Sequence, residues 1–445
     1  MNPSLLHPYQ VDAVRWAWRV KRGILADDIG LGKTVTAIAL ADEVIRRATP
    51  NSSVLVVAPK SLLSQWRSEV ERFSEYPSSY HYLNYEALKK LDFYPCCLIC
   101  DEATYIKSAS AQRSIRTVAL ARQVPYVLFL TATPVRNNEA DLFTMLYTME
   151  PFLQSSHTGD LQTDLHRSYA DFVSSYFRTF HMEVGGRVIT RIGAMNVHGR
   201  KVLNDLLGKW VMRRTKSLLN LPTFSRDFIA VDMLSKQRQA YDEVLSGLLR
   251  TEGEVPKDIP NFLAQMTRLR QAALDPALYG GVASSAKTDW LKENLKYLSR
   301  PTLIFTNYAQ YAKRLQDALP GSVMLTGDMS AEMRQASVDV FMEGKSDVFI
   351  LSATAGGFGL NLQRASLVIW TDMPWTPDIW MQGNGRAYRQ GQTSEVHEVV
   401  LGCVDSVDGK IVRLLQKKNR IANEVGNMIA VWQELRAEKR SCEGR

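Results

Sequence analysis

Long apolar runs are missing from this sequence. No stretch approaches the roughly 18 residues that a membrane-spanning helix needs, and the start, Met1-Asn2-Pro3-Ser4, has no basic region followed by an apolar one. No membrane anchor or secretory signal is therefore expected. The expected location is intracellular: cytoplasm or nucleoid in a prokaryote or virus, nucleus in a eukaryote. Cysteine is also scarce. The five thiols, Cys96, Cys97, Cys100, Cys403 and Cys442, form an odd and scattered set, which argues against a disulfide framework. Cys97-x-x-Cys100 has the spacing of half a zinc site. It lacks a second ligand pair nearby and lies inside the apolar run Cys96-Cys97-Leu98-Ile99-Cys100, so a buried strand is expected instead. Repeats of 20–50 residues and low-complexity tracts are absent.

What remains is an ordinary globular composition, 45% hydrophobic and 22% charged over 445 residues. That length suggests two to four domains and large cores that need no staples. The net charge of +8 is local. Between Gly186 and Arg238 there are eleven Lys and Arg against three Asp, and elsewhere 43 stand against 43. Such a segment is either a solvated helical surface or a phosphate-tracking one.

The first third alternates strands with helices. Gly23–Ala26, Val54–Ala58, Cys96–Cys100 and Tyr126–Leu130 are short continuous apolar runs, as expected of parallel strands covered on both faces. A helix is predicted from Lys33, with Val35, Ile38, Ala41 and Ile45 on one face. Residues 151–285 carry helical periodicity and few strand signals, so an all-helical insertion is predicted. Alternation resumes with strand Thr302–Phe305, helix Gln310–Leu319, strand Val323–Leu325, helix Ala331–Met342, and strands Val348–Leu351, Leu367–Trp370 and Val399–Leu401. The fold class is thus α/β, with two doubly wound parallel-sheet lobes. The tail from Val407 is helical and charged.

Asp27-Asp28-Ile29-Gly30-Leu31-Gly32-Lys33-Thr34 lies between a strand and a helix. Gly30 and Gly32 let backbone N–H groups approach phosphate oxygens. Lys33 would reach the β- and γ-phosphates, and the Thr34 hydroxyl would ligate Mg²⁺. The general phosphate-loop pattern has glycine where this chain has Asp27. Asp101-Glu102 follows the third strand at the sheet edge where ligands bind. There Asp101 would hold Mg²⁺ and Glu102 would orient or deprotonate the attacking water. Thr131-Ala132-Thr133-Pro134 follows the fourth strand and, alone, reads as a plain turn. In the second half, Gln382, Arg386 and Arg389 are spaced to share one face of a helix. Gly383 and Gly385 each cost such a helix about 1 kcal/mol. The two arginines would stabilise charge on a transferring phosphoryl group, or else form a basic face toward nucleic acid or water.

With these residues in hand, the sequence resembles the Swi/Snf-type ATPases, a branch of superfamily-two helicases, from about Leu6 to about Val425. Leu6-His7-Pro8-Tyr9-Gln10 resembles the opening motif and makes Gln10 the adenine-reading candidate. Asp27 to Thr34 matches the family's own phosphate loop, in which an acidic residue replaces the first glycine, so Asp28, Gly30, Gly32, Lys33 and Thr34 are implied nucleotide contacts. Ala58 to Trp66 resembles the DNA-tracking segment, which implies Lys60, Gln65 and Trp66 as nucleic-acid contacts. Leu130 to Pro134 with Val135-Arg136-Asn137-Asn138 resembles the coupling motif and adds Arg136 and Asn137. Met212-Arg213-Arg214-Thr215-Lys216 resembles the basic segment after the first protrusion and adds Arg213 and Arg214. Leu269-Arg270-Gln271 and Pro276 resemble the second protrusion. In the second lobe, Leu303 to Thr306 and Thr326 to Ser330 with Arg334 and Phe341 match strand motifs. Ser352 to Gly357 and Gly359 to Leu362 resemble the loop that couples nucleotide state to nucleic acid, and Gln382 to Gln392 matches the arginine-finger motif. Thr306, Ser352 and Thr354 are thereby implied DNA contacts, and Gly359 a nucleotide contact. The chain departs from the family at Thr104, where His is usual, and at Ala353 and Thr354, where many remodellers have Thr and a basic residue. The latter points to the more distant, non-nucleosomal branch. No histone-reading, zinc or nuclease module is expected at the ends.

The resemblance implies RecA-like lobes at residues 1–230 and 231–445. Helical protrusions are expected at about 151–215 and 231–285, and C-terminal helices at 406–445. It implies a monomeric, ATP- and Mg²⁺-dependent motor whose partner is DNA, mostly duplex, travelled without strand separation. Two alternatives stay open. One is a helicase or annealing enzyme on forks or single strands, with Trp66, Trp375 and Trp380 as stacking candidates. The other is an ATP-gated nucleic-acid-binding subunit of a larger repair or defence complex.

Overall fold

The computed structural model describes residues 6–49, 51–132, 139–184, 187–249, 259–298, 300–353 and 360–416, with Val431, Glu434, Leu435 and Glu438 beyond them. The chain forms two compact units, Met1–Leu219 and Asn220–Arg445.

In the first unit the apolar runs become strands β1 (Arg22–Leu25), β2 (Val54–Val57), β3 (Tyr80–Leu83), β4 (Cys97–Cys100), β5 (Tyr126–Leu130) and the two-residue β8 (Val211–Met212). They form one sheet in the order β3-β2-β4-β5-β1-β8, every pair parallel. All four side chains of β2 and of β4 are buried, as strands covered on both faces require. Cys97 and Cys100 are part of that core, and burial pushes both thiols well above their ordinary pKa. The unit's helices are α1 (Pro8–Val20), α2 (Lys33–Arg47), α3 (Leu63–Phe73), α4 (Gln112–Gln123), α5 (Phe143–Tyr147), α6 (Leu161–Tyr176) and α7 (Val197–Trp210).

The second unit repeats the plan. Strands β9 (Phe224–Val231), β10 (Thr302–Thr306), β11 (Val323–Leu325), β12 (Val348–Ser352), β13 (Leu367–Trp370) and β14 (Val396–Cys403) form a parallel sheet in the order β11-β12-β10-β13-β14-β9. Its helices are α8 (Ser235–Leu249), α9 (Ile259–Leu274), α10 (Ala286–Leu298), α11 (Ala309–Ala318), α12 (Ala331–Met342), α13 (Pro377–Ala387) and α14 (Val407–Gln416). No described helix is long and apolar enough to cross a membrane.

The expected all-helical stretch at 151–285 is corrected in three places, one of them the two-residue strand β8 of the first sheet. Helix α6 runs into an antiparallel hairpin, β6 (Phe177–Val184) and β7 (Arg187–Met195), whose register pairs Val184 with Arg187. A Gly-Gly pair between two runs rich in β-branched and aromatic residues is the local signal for such a hairpin. The third correction is β9. Its eight residues pair with the whole of β14, so the chain enters the second sheet at Phe224 and the units divide at Leu219/Asn220, ahead of the expected 230/231. β9 is an edge strand with mostly exposed side chains, so it lacks the apolar run that marked its neighbours.

Candidate functional site: a phosphate loop, an acidic strand end and an arginine motif

The loop between β1 and α2 is built to receive an anion. Gly30 and Gly32 have φ of 93° and 72°, conformations that side-chain-bearing residues rarely adopt. Gly32 is the N-cap of α2 and makes no side-chain cap bond, which leaves first-turn N–H groups to a ligand. Thr34 sits in that first turn, half-buried. The Lys33 ammonium folds back to donate to the carbonyls of Asp27 (2.6 Å) and Asp28 (3.3 Å). Burial lowers its pKa, and Glu102, Asp101, Asp27 and Asp28 pull it back up.

Two anchors hold the loop. The Asp27 carboxylate is fully buried and takes the Arg214 guanidinium on both oxygens, with Nε–Oδ1 at 3.0 Å and an Nη2–Oδ2 contact. Arg214 also donates to the Tyr9 carbonyl. The backbone follows the same route: Ala26 N–H donates to Met212 O (2.7 Å), Asp28 N–H to Arg214 O (2.9 Å), and Lys216 N–H to Asp28 Oδ2 (3.1 Å). The basic segment 212–216 is therefore a wall of the loop, and Arg214 is corrected from a DNA contact to a loop anchor. The second anchor is Gln10, buried at the start of α1. Its Oε1 accepts from His7 N–H (3.0 Å), while its Nε2 donates to the Leu31 (3.2 Å) and Gly32 (3.4 Å) carbonyls. Gln10, expected to read adenine, thus ties the start of α1 to the phosphate loop.

Asp101 and Glu102 leave the end of β4. Asp101 Oδ1 accepts from Glu102 N–H (2.9 Å) and Oδ2 from the Trp66 indole N–H (2.9 Å), while the Tyr85 hydroxyl donates to the Asp101 carbonyl (2.7 Å). Burial raises the Asp101 pKa, opposed by Trp66, the Glu102 N–H and Lys33. Glu102 has φ 49°, a left-handed conformation costing a non-glycine residue on the order of 1–3 kcal/mol. Strain of that kind gathers where a chain must aim a side chain. Trp66 is corrected too: at 2% exposure it cannot meet nucleic acid. Among the described residues no three His, Cys, Asp or Glu gather as a metal cage. The donors present, one carboxylate and one hydroxyl beside a phosphate loop, suit Mg²⁺, which keeps its waters and leans on substrate phosphates.

In the second unit the arginine motif is organised around α13. That helix ends at Ala387, so Arg389 lies beyond it and the expected continuous helical face is corrected. The guanidinium groups are nevertheless brought together: Arg386 Nη1 and Arg389 Nη1 both donate to the Leu360 carbonyl, at 3.2 and 3.3 Å. Gln382 is buried on the same helix. The glycine puzzle resolves at Gly383, where a Cβ would lie 2.5 Å from Trp370 Cζ2. A buried carboxylate, Glu398 on β14, fixes the helix. It accepts from Asn384 Nδ2 (2.8 Å), from the Trp380 indole and from Arg226 on β9, and Asn384 Oδ1 accepts from the Trp370 indole (2.9 Å). A second buried carboxylate, Asp372, gathers Thr306 Oγ1 (2.7 Å), Asn307 Nδ2 (2.6 Å) and Arg270 Nη2 (3.1 Å).

The remaining nucleic-acid candidates divide. Lys60 and Arg213 are exposed and Gln65 half-buried. The Thr306 and Ser352 side chains are buried and cannot touch a ligand, a correction that follows from their place at strand ends under the core. Arg136, Asn137, Thr354 and Gly359 lie outside the described residues. Trp375 and Trp380 are buried like Trp66, which removes all three as stacking platforms. Sequence reading missed Arg214–Asp27, Trp66–Asp101 and Glu398. Each joins segments far apart in the chain, 187 residues in the first case, and no local pattern marks them.

The SNF2-related domain model matches residues 9–86 and 78–278, and the helicase conserved C-terminal domain model matches 286–391. The chain belongs to the SNF2-related family. An ISWI chromatin-remodeling complex ATPase of Arabidopsis thaliana is 28% identical over 93% of this SNF2-related chain and 42% of its own length. A chromodomain-helicase-DNA-binding protein 1-like of Mus musculus is 27% identical over 94% and 50%. The chain spans about half the length, or less, of these curated relatives. Among solved structures, a Sulfolobus solfataricus SWI2/SNF2 ATPase core in complex with dsDNA covers 98% of this chain and 96% of its own, at 23% identity and a TM-score of 0.41.

Proposed function

We propose that this SNF2-related chain is a DNA-stimulated ATPase that couples ATP hydrolysis to translocation along double-stranded DNA. One observation carries the reading: Lys33, at the start of α2, closes on a phosphate loop whose two glycines hold left-handed backbone, and the Asp101-Glu102 pair leaves the end of β4 in the same sheet. Lys33 leaves the Asp27 and Asp28 carbonyls for the β- and γ-phosphates. Asp101 and Thr34 would hold Mg²⁺, and Glu102 would take a proton from the attacking water. Mg²⁺, when bound, neutralises charge on the phosphates. Arg386 and Arg389 answer the charge that builds on the transferring phosphoryl group, an effect of roughly 10³–10⁵ in rate for arginine fingers. The exposed Lys60 and Arg213 supply phosphate contacts, so DNA affinity falls steeply with salt. The setting is intracellular, and the motor acts as a monomer.

The deciding experiment is ATPase activity titrated with duplex DNA, single-stranded DNA and RNA at two salt concentrations, with Lys33→Ala as control. Stimulation by duplex DNA that weakens with salt and vanishes in the control is expected. No stimulation by any nucleic acid removes the motor. Full biological activity in Lys33→Ala favours the nucleic-acid-binding subunit of a larger repair or defence complex over a motor.

A further inference from the structure

Trp66 joins two parts of the site that the proposed function treats separately. Its helix, α3, begins just after the exposed Lys60, yet its own ring lies 2% exposed against the acidic strand end. The indole N–H meets Asp101 Oδ2 at 2.9 Å, and Glu102 N–H meets Oδ1 at the same distance. A directed donor on each oxygen fixes the plane of a carboxylate and leaves its remaining lone pairs for a cation. The Tyr85 hydroxyl steadies the carbonyl of the same residue (2.7 Å). Of these three donors, the Trp66 indole is the one carried by the Lys60–Gln65 region. Glu102 is the next residue in the chain, and Tyr85 follows β3. A displacement at Lys60 or Gln65 therefore reaches Asp101 through one rigid ring.

We propose that Trp66 is a positioning residue for Asp101, through which the exposed Lys60–Gln65 segment sets the readiness of the cation site when nucleic acid binds. The inference rests on the ATPase reading above. Outer partners of metal-holding groups typically govern metal affinity by about 10–100-fold, and a hydrogen bond to a carboxylate belongs to the stronger class.

The test uses the full chain and its Trp66→Phe variant, which keeps an aromatic ring and loses the N–H. ADP binding is measured by calorimetry across a Mg²⁺ series, with and without duplex DNA. In the variant the Mg²⁺ needed for half-saturation should rise by about 10-fold or more, while ADP affinity in EDTA stays at the parental value. DNA should lower the Mg²⁺ requirement of the parent and leave that of the variant unmoved. A general structural fault would weaken both binding modes together, which overturns the proposal, as does a parental Mg²⁺ series in the variant. A parent that binds no ADP sinks the ATPase reading as well. Should Trp66→Phe fail to fold, the parent carries a second readout. Its Trp66 indole N–H resonance should shift when Mg²⁺ joins the ADP complex, and a fixed resonance overturns the inference.

Discussion

Gly383→Ala adds one methyl group to the helix that carries Arg386, and its consequences can be worked out from the surroundings. The new Cβ would lie 2.5 Å from Trp370 Cζ2 and 2.9 Å from Cη2. Non-bonded carbons rest at about 3.5–4.0 Å, so something must retreat by about 1 Å. The ring cannot. Trp370 is fully buried and stacked on Phe305 at 4.6 Å between centroids. The helix must lift instead, and Arg386 lifts with it. Overpacking costs about 1–3 kcal/mol, while alanine regains about 1 kcal/mol of helix propensity over glycine. Net stability should therefore change by only about 0–2 kcal/mol. Catalysis should suffer far more, because a 1 Å misplacement of a catalytic group can cost about 100-fold. Thermal unfolding, ADP affinity and DNA-stimulated ATPase on one preparation separate these effects. The expected result is a folded protein with parental ADP binding and a kcat reduced by about two orders of magnitude. A Gly383→Ala chain with parental kcat would refute the claim that contact with Trp370 sets the position of the arginine motif.

Three further outcomes follow from single charged side chains, one half-buried, one exposed and one buried. Arg214→Ala strands the buried Asp27 carboxylate, which should cost about 3–5 kcal/mol; nucleotide binding should be lost in calorimetry even where DNA affinity in a gel-shift assay is retained. Arg213→Ala should do the reverse: ADP binding is untouched, and the slope of DNA affinity against salt falls by about one. Lys287, fully buried, donates to Asp408 Oδ2 (2.6 Å) and to the Thr371 carbonyl (2.7 Å). Burial lowers its pKa, but Asp408 overrides this and the amine is pushed up to about 12 from 10.5. A folded pKa above the unfolded one means a stabilisation fully present below pH 10.5 and lost as pH climbs to about 12. Denaturant midpoints should fall across that window, and Lys287→Met should abolish this part of the alkaline transition.

The parallel strands were legible because both of their faces are buried. Val54–Val57 and Tyr126–Leu130 read as apolar runs, and nearly all their side chains are indeed covered. Strand β9 was illegible for the opposite reason: an edge strand leaves its side chains in water and pairs through a backbone that carries no sequence signal. The same contrast holds in the site. Gly30, Gly32, Lys33 and Thr34 lie within one turn and announce a phosphate loop by spacing alone. Arg214 looked like a nucleic-acid contact because it stands in a basic run. Its partner, Asp27, looked like a mere departure from the glycine pattern. Only the fold shows that each explains the other.

That pairing exposes a rule that runs through both units. A buried carboxylate costs several kcal/mol unless donors surround it, so a fold keeps one only where several segments arrive together. Asp27 draws in Arg214, Asp372 draws in Arg270, Thr306 and Asn307, and Glu398 draws in Arg226, Trp380 and Asn384. Apolar packing alone would hold these segments nearly as well and would tolerate a small slip in register. Directed bonds to a desolvated anion do not. At Asp27 the segment so fixed is the phosphate loop, and at Glu398 it is the helix carrying Arg386. If fixing register is what these carboxylates do, Glu398→Gln should unfold at a temperature closer to the parent's than its activity suggests. The amide fills the same volume and keeps one acceptor, but it loses the guanidinium of Arg226. A variant equally diminished in melting temperature and in kcat would mean that Glu398 serves stability alone.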